Sequence, residues 1–130
     1  MLDASAAIEL LLRTPAGLTV AKRIAANDTS LHVPHLLDLE VAQVLRRYCA
    51  QKMLASERAQ LALDDLRALQ LTRYAHEPML SRIWELRENL TAYDAAYVAL
   101  AESLAAPLVT LDTRAADAPG HRAVVEVIRA

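Results

Sequence analysis

Residues 91–112 read TAYDAAYVALAESLAAPLVTLD, and this stretch decides the fold class. Thr91 is a hydroxyl residue suited to capping a helix, and Tyr93, Ala96, Tyr97, Leu100 and Leu104 follow on one helical face. Pro107 ends that pattern. Leu108 to Leu111 is then a short apolar run closed by Asp112, which reads as a strand buried on both faces. A helix leading directly into such a strand is the unit of a parallel sheet covered by helices.

The same alternation extends toward the N-terminus. Ser5 to Leu12 reads helical, and Thr14-Pro15 opens a second helix through Val20, Ile24 and Ala25, ended by Asn27 and Asp28. Leu31 to Pro34 is a strand. Leu37, Val41, Val44, Leu45 and Tyr48 mark a third helix with Arg46 and Arg47 on its outer face. Ser56-Glu57 opens a fourth, with Ala59, Leu63, Leu66 and Leu69 as its apolar stripe, and Leu71 to Ala75 is another strand. A fifth helix follows Pro78, burying Leu80, Ile83, Trp84 and Leu86. Val124 to Ile128 is the last strand. The expected architecture is one α/β domain over residues 1–130, three layers with a short, mostly parallel sheet flanked by helices.

Composition narrows the function. At 130 residues, with 55% hydrophobic and 23% charged residues and a formal charge of -2, the chain has material for a core without staples. Only 2 Gly and 5 Pro among them argue against disorder. Cys49 has no second thiol to pair with, which suits a reducing, cytoplasmic setting. No apolar run approaches the roughly 20 residues of a membrane span. The histidines lack zinc-pair spacing, and glycines only at Gly17 and Gly120 exclude a glycine-rich phosphate loop.

Four acids carry the chemistry. Asp3 precedes a helix and Asp112 follows a strand, so both belong at the carboxyl edge of a parallel sheet, where ligands bind. Glu40 and Asp94 sit near the starts of two helices, each inside an apolar run. A buried carboxylate needs compensation, and four acids with no evident lysine or arginine among them call for a hard cation such as Mg²⁺ or Mn²⁺. Simpler roles exist for three of them: Asp3 and Asp94 as helix caps, Asp112 as a turn residue.

In Asp3-Ala4-Ser5, Leu39-Glu40-Val41, the block from Leu90 to Glu102 and Leu108 to Asp112, the sequence resembles the PIN-domain ribonucleases, more narrowly the VapC-type toxins of bacterial toxin–antitoxin pairs. The resemblance covers nearly the whole chain, and the Thr91 to Glu102 block is its most specific part. Only Met1 and Leu2 precede Asp3, where the family carries a full apolar strand. The resemblance implies that Asp3, Glu40, Asp94 and Asp112 are catalytic and hold Mg²⁺ or Mn²⁺, with Ser5 and Thr110 supporting the site. It further implies an RNA substrate, a cognate VapB-type antitoxin and a homodimer.

Setting the four acids aside leaves 12 acidic residues against 14 basic ones, a remainder of +2 that tolerates RNA. Arg87, shortly before the Asp94 motif, and Arg114 are candidates for phosphate contacts, alongside Arg13, Lys22, Arg46 and Arg47. Asp117 is a candidate accessory acid. Two rival classes remain: a non-catalytic cation-binding module, and another acid-site α/β phosphohydrolase. The second would need a nucleophilic aspartate with a catalytic partner, which Asp3-Ala4-Ser5 does not supply.

Overall fold

The computed structural model of the chain describes residues 1–26 and 29–129. The expected stop at Asn27 and Asp28 lies outside them. The elements run α1 (Ala4–Leu12), α2 (Pro15–Ile24), β1 (Leu31–Pro34), α3 (Leu36–Ala50), α4 (Ser56–Ala68), β2 (Leu71–Tyr74), a 3-10 turn (Glu77–Met79), α5 (Leu80–Glu85), α6 (Ala92–Leu104), β3 (Leu108–Thr110), α7 (Arg114–Asp117) and β4 (Val125–Val127). Order and type follow the apolar periodicities. The 3-10 turn and the one-turn α7 are additions, and α7 places Asp117 at its C-terminal end.

Every ladder among the described residues is parallel. β1 pairs with β2, Leu31 opposite Leu71, and β3 pairs with β4, Leu108 opposite Val125. Leu2 forms a single bridge to Val109. On β3, Val109 N donates to Met1 O (2.8 Å) and Val109 O accepts from Asp3 N (3.2 Å), while Leu108 N donates to Val124 O (2.8 Å). Alternate residues of β3 therefore bond opposite neighbours, which puts β3 between the N-terminal residues and β4. The edge before Asp3 is reduced to that one bridge.

α6 lies behind both strand pairs, packing on β1 and β3, and is buried without interruption from Ala95 to Ala101. Its alanines let strands and neighbouring helices approach closely. One apolar face was expected of it; instead most of the helix is enclosed, and Tyr93 at its start is 64% exposed. α5 also departs from expectation. Only Leu86, just beyond it, is buried, whereas Leu80 and Trp84 face solvent. A six-residue helix has one narrow buried stripe, and here Ile83 and the following Leu86 take it.

α1 and α2 cross at one glycine. A Cβ at Gly17 would stand 1.9 Å from Glu9 O, so no side chain fits. Thr14 fixes the entry to α2 by accepting from Gly17 N at 3.0 Å. The crossing holds α1 against β3, and with it the backbone that presents Asp3.

Candidate active site

Asp3 caps α1 and is also tied to β3. Its Oδ1 accepts from Ala6 N (3.1 Å) and Ser5 Oγ (2.6 Å), and its Oδ2 accepts from Thr110 Oγ1. The two hydroxyls in turn accept backbone protons, Ser5 from Leu111 N and Thr110 from Asp112 N, both at 3.0 Å. Two parallel relays thus connect the end of β3 to one carboxylate. Thr110 is 1% exposed, so its hydroxyl has no alternative in water. Burial nonetheless pushes the Asp3 carboxyl above its ordinary range, against those hydrogen bonds, and the Asp112 charge adds to the rise.

Glu40, in the second turn of α3, accepts from Tyr97 OH at 2.5 Å. Its carboxyl is also raised, first by burial and then by the charges of Asp3 and Asp94, while the Tyr97 hydrogen bond opposes the rise. Tyr97 itself is pushed well above the normal phenol range by burial and by Glu40, so it stays a donor. Tyr97 was read only as part of an apolar face. Its position three residues after Asp94, on the same side of α6, is the signal that links it to the acids.

Asp94 occupies the first turn of α6, where its backbone N donates to Thr91 Oγ1 (3.1 Å). The reciprocal half of a capping box is absent: among the described residues the Asp94 carboxylate accepts no hydrogen bond. Capping therefore accounts for Thr91 and not for the acid.

Asp112 departs from the expectation that no basic residue sits among the acids. It accepts from Arg114 N (2.9 Å) and Nε (2.7 Å), and these contacts hold its carboxyl below the usual range. Arg114 feels the charges of Asp112, Asp94 and Asp3 together. It lines a cleft of about 370 Å³ with Thr91, Asp94, Thr113 and Asp117, so the candidate accessory acid opens onto the same cleft as Asp94. Arg87 is not in that cleft. Its guanidinium lies 4.7 Å from the Trp84 ring centroid and donates to Trp84 O (2.9 Å).

The four acids share one field: Asp3 feels Asp112, Glu40 feels Asp3 and Asp94, and Arg114 feels three of them. Among the described residues, no three metal-ligating side chains stand close enough to form a ready-made ion cage. Asp3, Glu40 and Asp112 are each turned onto a donor of their own, and Asp94 has none. The donor set is nevertheless all oxygen, and at Asp3 and Glu40 burial first and the neighbouring carboxylates second disfavour a charge that a hard cation would offset.

A profile described as PIN domain matches residues 1–121. The chain belongs to the PIN domain family. Relatives span it almost end to end. Ribonuclease VapC12 of Mycobacterium tuberculosis is 38% identical over 98% of this chain and 98% of its own length. Ribonuclease VapC9 of the same species is 42% identical over 98% of this chain and 97% of its own. A solved structure from Pyrobaculum aerophilum superposes with a TM-score of 0.71 at 25% identity, covering 95% of this chain and 81% of that one. The short parallel strands and enclosing helices are thus those of a PIN domain. No helix among the described residues is long and apolar enough to cross a membrane.

Proposed function

We propose that this PIN domain is a metal-dependent endoribonuclease of the VapC type, with Asp3, Glu40, Asp94 and Asp112 as the residues that would hold Mg²⁺ or Mn²⁺. The observation that carries the reading is the match to the PIN domain and, almost end to end, to VapC ribonucleases, in a chain that holds Asp3 between Ser5 and Thr110 and Glu40 on Tyr97. A bound divalent ion supplies an activated water and charge neutralisation at the phosphate. The chain's own side chains prepare the setting. Ser5 and Thr110 fix both oxygens of Asp3, Tyr97 orients Glu40, and Asp94 offers an unshared carboxylate. Arg114 is placed to leave Asp112 for an RNA phosphate, since its side chain is 70% exposed.

A VapB-type antitoxin and a homodimer belong to the same proposal. Supporting them, Leu80 and Trp84 on α5 are exposed large side chains of the kind that partners cover. The test is cleavage of labelled RNA by partner-free protein with Mg²⁺ or Mn²⁺, with chelator, and with Asp94→Asn. Cleavage lost in both controls is expected. Cleavage that survives chelator and Asp94→Asn refutes the reading, and cation binding without any cleavage transfers support to the binding-module alternative.

A further inference from the structure

Most arginines near the helices are engaged. Arg23, Arg73 and Arg82 are held by Glu126, Asp38 and Glu102, and Arg58 donates to Leu11 O. Arg47, like Arg46 beside it, makes no ion pair among the described residues; its guanidinium lies 5.8 Å from the Tyr48 ring centroid and, unlike that of Arg87, donates no hydrogen bond to the preceding turn. It also stands where two clefts meet. One, of about 410 Å³, contains Glu40, Gln43 and Tyr93. The other, of about 380 Å³, contains Ser5, Glu9, Tyr48 and Arg114. Ala4, Val44 and Arg47 line both.

Helical geometry explains the placement. Glu40, Val44 and Arg47 follow each other at steps of four and three along α3, so they share a face, and Arg47 sits about 10 Å beyond Glu40 along the axis. The groove therefore brings together an exposed aromatic ring at Tyr93, the Glu40 carboxylate and the Arg47 guanidinium. A single nucleic-acid strand needs those two features: rings for its bases and cations for its phosphates.

We infer that the groove joining Tyr93, Glu40 and Arg47 seats the nucleotides flanking the cleaved bond, Arg47 taking a backbone phosphate and Tyr93 stacking on a base. The inference rests on the ribonuclease reading and adds which surface positions the strand. Arg47 and Tyr93 are positioning residues that act on the substrate away from the reacting atoms. Arg87, turned onto Trp84, takes no part.

The test is binding of a fluorescein-labelled single-stranded RNA of mixed sequence, followed by anisotropy across a salt series in Mg²⁺, in the Asp94→Asn background. Arg47→Gln is expected to flatten the plot of log affinity against log salt by about 0.7, the value for one single-strand phosphate contact. Tyr93→Ala is expected to weaken binding by about fivefold or more and to leave that slope alone. Arg87→Gln is expected to change neither. An unchanged slope in Arg47→Gln overturns the phosphate assignment, and unchanged affinity in Tyr93→Ala overturns the stacking. Failure of the Asp94→Asn parent to bind RNA, paired with an absence of cleavage by the unmodified protein, brings down the ribonuclease reading itself. Cleavage by the unmodified protein with unaltered binding in both variants overturns only the groove.

Discussion

Replacing Thr110 by valine isolates what the buried hydroxyl does, because the two side chains have nearly the same shape. The substitution removes the donor to Asp3 Oδ2 and the acceptor for Asp112 N. A hydrogen bond to a charged group is worth about 1.5–3 kcal/mol, and orphaning a buried N–H costs about 1–3 kcal/mol. The two losses share one site and are not independent, so about 3 kcal/mol is expected at pH 7, a fall of roughly 10 °C in Tm for a chain of this size. The pH dependence identifies the cause. The hydroxyl stabilises the ionised form of Asp3, whose carboxyl is already raised, so valine raises it further. That part of the loss is present where Asp3 is ionised and disappears as pH falls through its folded value, leaving only the Asp112 N term. Urea denaturation of both proteins over a pH series descending from 7 measures this. Thr110→Ser, which keeps the hydroxyl, is expected to lose far less. A valine protein as stable as the parent at pH 7, or a deficit that does not narrow in acid, refutes the relay.

Further outcomes follow from the same geometry. Arg114→Gln frees Asp112 from its internal cation, so calorimetry with Mn²⁺ is expected to show tighter binding by about two- to fivefold, the range of an exposed ion pair; weaker binding contradicts the competition. In metal-free protein, Asp3 and Glu40 are raised, so lowering the pH from 7 through their folded values is expected to add stability, and the trend reverses at lower pH as Asp112, Glu126 and, near pH 2, Glu102, all lowered, lose their partners. A Tm that falls steadily from pH 7 contradicts the field described for the acids. Gly17→Ala forces α1 and α2 apart at Glu9 O and is expected to cost about 3 kcal/mol or more in denaturant titration, against a near-neutral Ala21→Gly control beyond ordinary helix propensity.

How much was legible in the sequence depends on the distance over which its signals act. Caps and periodicities are local, so Thr14-Pro15, Thr91 and the apolar run at Leu108 to Leu111 locate their elements. The strand-end and helix-start positions of Asp112 and Asp3 follow from the parallel topology, whereas Ser5 and Thr110 were legible only through the family resemblance, and the structure sets both hydroxyls against Asp3. Side-chain choices between neighbours are not local in that sense. Nothing in the order of residues says that Arg114 folds back two positions onto Asp112, or that Arg87 turns onto Trp84 instead of toward Asp94. The exposure of Leu80, Trp84 and Tyr93 was hidden for another reason: an apolar stripe reports a surface that wants cover without saying whether the same chain supplies it. The separation into two strand pairs is likewise silent, since strands of three or four residues show too little pattern to fix every neighbour.

The most direct test of the central claim is diffraction from crystals grown with Mn²⁺, measured at the manganese absorption edge. An anomalous peak bonded at about 2.0–2.3 Å to oxygens of Asp3, with Glu40, Asp94 or Asp112 completing the set directly or through water, is the expected result. A protein that cleaves RNA in Mn²⁺ while its anomalous peak lies away from these four acids contradicts the claim.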